Sequence, residues 1–385
     1  MSSHQNMVSI KLKPEQEEAI RKLHSGSVLW GGVGSGKTFT SLAFYKKKYK
    51  KSHLYVITTA KVRDGKDWEK SAEVLGDIPN ITVDSWNNIE KYLGKPGFFI
   101  FDEQKALGYG KWSKTMIKIA HSNPWIMLSA TPGDNWMDYM ALFIANGYYK
   151  NKTDFTSQHV IWDPFVSFPR IKGYVNEEVL FRHRKDILVH MKVARKTVRK
   201  RQYLYSDYNK RMYNNVIKNR LNPFTEKPIK NASEFTQVIR KIVSTSPGRI
   251  QLFMEQVQKH DRAIVFYNYE YEREIITRNL ELANINFAEW NGKKHEDLPD
   301  SEKWVYVVQF SAAEGWNATT TNQVIFYSPN YSYKIIEQAE GRIDRLNTPF
   351  HELYYTYLLS KSGIDSSVIK AIQSKKVFNE SYWKG

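Results

Sequence analysis

Hydrophobic positions along the chain follow two patterns. Short, nearly unbroken apolar runs recur at Val28–Trp30, Leu54–Thr58, Ile81–Val83, Phe98–Phe101 and Trp125–Leu128, most of them bounded by Gly, Pro, Asn or a charge. That is how parallel strands buried on both faces read. Between them, stretches such as Thr38–Tyr49 and Lys111–His121 carry apolar residues at helical spacing. Strand and helix alternate, which predicts βαβ units and a doubly wound sheet. A second alternating block runs from about Pro247 to Leu359, with strands expected at Ala263–Tyr267, Ile285–Glu289, Val305–Phe310, Gln323–Tyr327 and Tyr354–Leu358.

Between the blocks the character changes. Arg182-His183-Arg184-Lys185 and Arg195-Lys196 through Arg199-Lys200-Arg201 make a strongly basic stretch. Tyr208–Leu221 and Ser233–Ser244 then read as amphipathic helices, joined by a loop at Asn222–Pro228. The expected division is a first α/β lobe over 1–205, a helical protrusion and linker over 206–246, and a second α/β lobe over 247–385.

Composition narrows the function classes. The 385 residues carry a formal charge of +17, which points to a polyanionic partner, most often nucleic acid. The absence of cysteine excludes disulfides, thiolate metal sites and cysteine nucleophiles. The ten histidines show no metal-ligand spacing. The N-terminus MSSHQNMVSIKLKPEQ lacks an apolar signal core, and no run approaches the ~20 apolar residues of a membrane span. A soluble cytoplasmic protein without membrane contact is expected.

One stretch interrupts the apolar pattern sharply. Directly after the first strand come Gly31-Gly32-Val33-Gly34-Ser35-Gly36-Lys37-Thr38, which match G-x-x-x-x-G-K-[ST]. Such glycines let consecutive N–H groups curl around phosphate oxygens, and the positive end of the following helix adds to the attraction. In that pattern Gly31, Gly34, Ser35 and Gly36 shape the cradle, Lys37 reaches the β- and γ-phosphates, and the Thr38 hydroxyl binds Mg²⁺. A phosphate loop of this kind works with an acid at the end of a nearby strand. The run Phe98–Phe101 ends in Asp102-Glu103, where Asp102 would hold Mg²⁺ and Glu103 would polarise the attacking water. The bland alternatives are a glycine-rich turn and a solvated strand end. The pairing of the two patterns predicts an NTPase using ATP and Mg²⁺.

These residues, with Ser129-Ala130-Thr131-Pro132 and Gln338-Ala339-Glu340-Gly341-Arg342-Ile343-Asp344-Arg345 in the same order, resemble helicase superfamily two. The last stretch looks like that family's Q-x-x-G-R-x-x-R. Within the superfamily the chain is most similar to the Swi/Snf-type DNA translocases. Leu12-Lys13-Pro14-Glu15-Gln16, Asn135 with Ala141-Leu142-Phe143, Leu180–Asp186, and Ser311 through Gly315-Trp316-Asn317 resemble further motifs of that group. The length and the Lys- and Asn-rich composition are similar to small bacteriophage-encoded members. The resemblance implies two RecA-like lobes with a small helical insertion, and an ATPase that translocates on DNA, with duplex favoured. It also implies that Gln16 contacts adenine, that Gly315 belongs to the nucleotide site, that Gln338 helps position water, and that Arg342 and Arg345 act as arginine fingers. An ordinary reading of those two arginines is ion pairing with Glu340 or Asp344.

For the nucleic-acid track, the resemblance points to Thr59 and Lys61, to Ser85 and Trp86, to Asn268 and to Ser311. Hydroxyls, amides and cations suit backbone phosphates, so sequence-tolerant and salt-sensitive binding is expected. Trp86 and Trp316 could stack on bases or simply pack. The run Lys46–Lys51 could touch phosphates or be a solvated helix end, and Arg195–Arg201 is a second basic candidate. Two features depart from the family pattern: Gln104-Lys105 follows the acidic pair, and Ala312-Ala313-Glu314 precedes Gly315 in a shortened motif. No chromatin-reading module is present. A monomer working with replication or recombination proteins is expected. Alternatives are an RNA or single-strand helicase, and a nucleic-acid-binding scaffold whose conformation ATP switches.

Overall fold

The structure, a computed structural model, describes residues 12–32, 34–76, 78–102, 109–130, 132–165, 169–191, 196–312, 316–345 and 347–380, with side chains as far as residue 375. The chain forms two compact units, the first Met1–Ala194 with Phe378–Gly385 and the second Arg195–Val377.

In the first unit, in chain order, come α1 (Pro14–Lys22), β1 (Val28–Trp30), α2 (Lys37–Lys48), β2 (Leu54–Thr58), α3 (Ala60–Asp64), α4 (Asp67–Leu75), β3 (Ile81–Ser85) and β4 (Phe98–Asp102). They are followed by α5 (Lys111–Ser122), β5 (Trp125–Ser129), α6 (Trp136–Ala145), α7 (Lys152–His159), the strand pair β6 (Val160–Trp162) and β7 (Ile171–Tyr174), α8 (Glu177–Ile187) and β8 (Leu188–His190). The main sheet is parallel, in the order β3-β2-β4-β5-β1-β8. Period-2 alternation explains why its strands read as unbroken apolar runs. Phe99, Phe101, Trp125 and Met127 point into one core, and Phe98, Ile100, Ile126 and Leu128 into the other, so both faces are covered.

The second unit contains β9 (Val198–Ser206), α9 (Lys210–Asn219), the short pair β10 (Leu221–Asn222) and β11 (Lys227–Pro228), α10 (Ala232–Ser244), α11 (Pro247–Gln258), β12 (Arg262–Tyr267) and α12 (Glu270–Leu282). It continues through β13 (Phe287–Trp290), β14 (Trp304–Gln309), β15 (Gln323–Phe326), α13 (Tyr333–Glu340), β16 (Glu352–Ser360) and α14 (Gly363–Glu380). Its sheet is also parallel and six-stranded, in the order β13-β14-β12-β15-β16-β9. This is the two-lobe α/β architecture expected from the pattern, and the expected core strands fall where the apolar runs lie.

Two strands of the six-stranded sheets carry no such signal. β8 is three residues long and follows the basic stretch of α8, yet it pairs with β1 from Val28↔Leu188 to Trp30↔His190. Part of that basic stretch is spent on packing. Arg184 is 1% exposed and lies 4.9 Å from the Trp136 ring, and His183 stacks on Tyr148 at 4.0 Å. Burial holds the His183 pKa below its ordinary value.

The other strand is β9. The expected boundary at 205 would place it in the first lobe, whereas it pairs along its whole length with β16, from Val198↔Glu352 to Ser206↔Ser360. Its arginines explain its charge. Arg199 and Arg201, two residues apart on one face, meet Glu340, which is fully buried, with Nη1 of Arg199 at 2.9 Å and Nε of Arg201 at 2.7 Å. Arg199 also donates to Glu337 at 2.8 Å and to Asp344 at 2.7 Å, and Tyr357 donates to Glu340 at 2.9 Å. Burial opposes the charge on Arg199, but Glu337 and Glu340 outweigh it and raise its pKa. The Arg195–Arg201 stretch, expected as a nucleic-acid candidate, is thus at Arg199 and Arg201 an internal counter-charge for α13.

Removing one member of a buried charge cluster costs about 3–5 kcal/mol, because the partner is left without compensation. Arg199→Met is therefore expected to lower the denaturant midpoint of the transition reported by the second unit's tryptophans by a corresponding amount. An unchanged midpoint would show that the cluster is not holding β9 to α13.

Candidate nucleotide-binding site

The turn from β1 into α2 has its shape fixed by glycine. Gly34 (φ +76°) and Gly36 (φ +84°) occupy the left-handed region, which costs glycine nothing and other residues strain. A Cβ on Gly36 would lie 2.8 Å from Gln16 Nε2, and one on Gly31 would lie 2.7 Å from Ser35 Oγ. Gly36 is also the N-cap of α2, so no side chain caps that helix, and the first turn holds no acid. The N–H groups at the start of a helix need partners, and an anion is a natural one. Ser35 Oγ is buried without a hydrogen-bond partner, a cost that a ligand oxygen would remove.

Lys37 Nζ donates to the loop's own carbonyls, Gly31 at 2.6 Å and Gly32 at 3.0 Å, which keeps the ammonium over the cradle. Thr38 is half-buried in the first turn of α2. Gln16, expected at adenine, lies against the loop. Its Oε1 accepts from the Lys13 N–H at 2.9 Å, and its Nε2 donates weakly to the Gly36 carbonyl at 3.4 Å.

The acid comes from β4. Asp102 is in register with Leu128, which is in register with Leu29 of β1. Two strand spacings put Asp102 roughly 10 Å across the sheet from Leu29, at the edge where the glycine loop begins. Its Oδ2 accepts from Thr58 Oγ1 at 2.9 Å and from Trp68 Nε1 at 3.1 Å. Motif reading did not identify Trp68. Its one signal is an aromatic on the apolar stripe of α4, which looks like ordinary core. The strand between acid and loop, β5, is tied to the loop directly. The Gly31 N–H donates to the Ser129 carbonyl at 3.2 Å, and Trp30 Nε1 to the Ala130 carbonyl at 2.9 Å. The Thr38 hydroxyl and the Asp102 carboxylate are hard oxygen donors of the kind Mg²⁺ takes. Among the described residues no group of three or more His, Cys, Asp or Glu side chains forms a metal cage. Glu103 and Gly315 lie outside the described residues.

In the second unit Gln338 is buried on α13, and Arg342 follows that helix at 8% exposure, with Nη1 donating to the Trp316 carbonyl at 3.0 Å. Arg345 is half-buried one turn on. Glu340 and Asp344, the carboxylates an ordinary reading would pair with these arginines, also take Arg199 and Arg201 as partners, as described above.

The expected nucleic-acid residues divide. Lys61 on α3 and Ser311 in the 3₁₀ turn Phe310–Ala312 are exposed, and Thr59 is half-buried as the N-cap of α3. Ser85 and Trp86 face inward instead. Ser85 is buried, and Trp86, at 2% exposure, packs on Phe101 and donates its indole N–H to the Asp102 carbonyl at 3.1 Å. Asn268 is likewise committed: its amide donates to Ser328 Oγ at 2.8 Å, and its carbonyl accepts from Asn330 at 2.8 Å. Trp316 packs between Phe266 and Tyr306. The lysines closing α2 cap neighbouring helix ends, Lys46 on the Leu75 carbonyl at 3.2 Å and Lys48 on that of Leu23 at 3.4 Å.

No family model and no curated protein matches the chain. Among solved structures, it is similar to the SWI2/SNF2 ATPase core of Sulfolobus solfataricus, solved in complex with double-stranded DNA. The identity is 16% and the TM-score 0.43, over 97% of this chain and 94% of that one. A superposition that loose assigns no residue a role. Among the described residues no helix is long and apolar enough to cross a membrane.

Gly36→Ala tests the cradle. The strained φ and the contact with Gln16 are expected to weaken binding of a fluorescent ATP analogue at least tenfold, while the thermal midpoint falls only slightly. Binding equal to wild type would disconnect the loop from the nucleotide. Asp84, at the end of β3, supplies a pH test. Burial would raise its pKa, but Asn88, the Ser85 N–H, Tyr92 and Arg63 all donate to it and hold it below the ordinary value. Its contribution to stability is complete above about pH 4 and is lost as the pH falls through the lowered value. The unfolding midpoint of Asp84→Asn should therefore change less with pH below 4 than that of wild type. Parallel curves would show that this carboxylate is uncoupled from folding.

Proposed function

We propose that the protein is a nucleic-acid-stimulated ATPase that uses hydrolysis to move along DNA. The observation that carries this reading is the uncapped, glycine-shaped start of α2, with Lys37 folded over it and Asp102 fixed on the same sheet edge. In this reading Lys37 and the N–H groups of the loop bind the β- and γ-phosphates. Thr38 and Asp102 hold Mg²⁺, which neutralises charge on the phosphate oxygens. Glu103 polarises the attacking water, with Gln338 helping to place it. Arg342 and Arg345 stabilise the charge that develops on the transferred group, and Gln16 and Gly315 complete the nucleotide contacts.

The order of motifs along the chain and the charge of +17 support the polyanionic track. The resemblance to Swi/Snf-type translocases favours duplex DNA over RNA and movement over strand separation. A second reading, a scaffold whose ATP site only switches conformation, draws on Gln104-Lys105 in place of the family's residues after the acidic pair.

The test is ATP turnover with duplex DNA, single-stranded DNA, RNA or no polynucleotide. Duplex DNA is expected to raise kcat severalfold or more. Glu103→Gln should bind ATP yet abolish turnover. Arg342→Ala should lower kcat by about 10³ or more with nucleotide affinity retained, as arginine fingers do. Turnover indifferent to every polynucleotide would reject the motor, and full turnover in Glu103→Gln would reject the assigned base.

A further inference from the structure

The insertion that follows β9 in the second unit carries charge that its own fold does not use. Residues 207–231 contain six cations, Lys210, Arg211, Lys218, Arg220, Lys227 and Lys230, against two carboxylates, Asp207 and Glu226. That ratio is 3:1, against 57:40 for the whole chain. All six cations are exposed, and none is ion-paired among the described residues. The contrast lies within the same unit, where Arg199, Arg201, Arg249 and Arg273 are each tied to a carboxylate. Arg220 is partly spent, lying 3.9 Å from the Phe235 ring.

The helix is anchored by packing and by its cap. α9 turns Tyr213 and Val216 inward onto Val238, Ile239, Ile242, Val243 and Ile364. The Tyr213 hydroxyl accepts from the Ile364 N–H at 3.1 Å, and Asn209 caps the helix start. The outward face is then Arg211, Asn214, Asn215 and Lys218, cations and amides with no carboxylate anywhere on the helix. Lys210 and Arg211 sit in its first turn, where the helix dipole disfavours positive charge. That placement does not serve helix stability. At 1.5 Å per residue, Arg211 and Lys218 stand about 10 Å apart along the axis, close to three base steps of a duplex strand. β11, paired with β10 at the end of α9, adds Lys227.

We propose that the exposed cations of this insertion, Arg211 and Lys218 on the outward face of α9 with the amides of Asn214 and Asn215, together with Lys227 on β11, grip the sugar-phosphate backbone of duplex DNA, a track separate from the motif residues. Phosphate contacts of this kind hold position without reading sequence. The inference rests on the reading of the protein as a DNA motor.

The test uses the full chain and a fluorescent 30-base-pair duplex, with affinity measured across a range of salt concentrations. Each phosphate neutralised contributes about 0.9 to the slope of log affinity against log salt. The triple variant Arg211→Ala/Lys218→Ala/Lys227→Ala should lower that slope by about 2–3, weaken binding at moderate salt at least tenfold, and leave DNA-free ATP turnover and the thermal midpoint unchanged. Arg211→Lys with Lys218→Arg should keep the wild-type slope. If wild type does not bind duplex DNA, the motor reading fails. If wild type binds and the triple variant keeps its slope, the motor reading stands and this surface is not part of the track. That second outcome includes the case where the face serves a protein partner.

Discussion

The first unit depends on parallel pairing of β5 between β1 and β4. Parallel strands all end on the same side of their sheet, so the glycine turn after Trp30 and the carboxylate at Asp102 must emerge on one edge, with Ser129 and Ala130 between them. The spacing between loop and acid is set by backbone hydrogen bonds rather than by side-chain reach. Thr58 and Trp68 then restrict how the carboxylate can turn. Geometry built on main-chain pairing in a fully buried sheet resists drift, which a phosphate site requires.

Much of this was legible because the relevant signals are local. Phe98–Asp102 announces a buried strand ending in charge, and Gly31–Thr38 announces its own backbone conformation. The elements that escaped are defined by partners far away in the chain. β9 reads as Val-Arg-Lys-Arg-Gln, a charged surface, because the acids that neutralise Arg199 and Arg201 lie some 140 positions later. β8 has too few residues to show any period and is a strand only because β1 offers it a free edge. Trp86 and Asn268 likewise have partners that motif reading does not show. A motif fixes where a residue falls in the chain, but Trp86 is drawn inward by Phe101 and the Asp102 carbonyl, and Asn268 by Ser328 and Asn330.

The positive charge of the chain is likewise not uniform in meaning. Arg184 and Arg249 are buried, the first against aromatic rings and the second against Asp365. Arg199 and Arg201 hold α13 to its sheet, and Lys46 and Lys48 close helix ends. Composition counts all of these alike. Only after the internally consumed cations are set aside does the remaining charge show where a polyanion could be met, and then it is concentrated on particular elements.

The position of β9 has a consequence for how the protein is made. It is the earliest strand of its sheet to leave the ribosome, yet it lies at the far edge, bound to the last one. Until residues 337–360 emerge, its guanidinium groups have neither carboxylates nor a neighbouring ladder. This half of the molecule can close only once β16 has emerged, so β9 waits without its partner strand for most of the unit's synthesis.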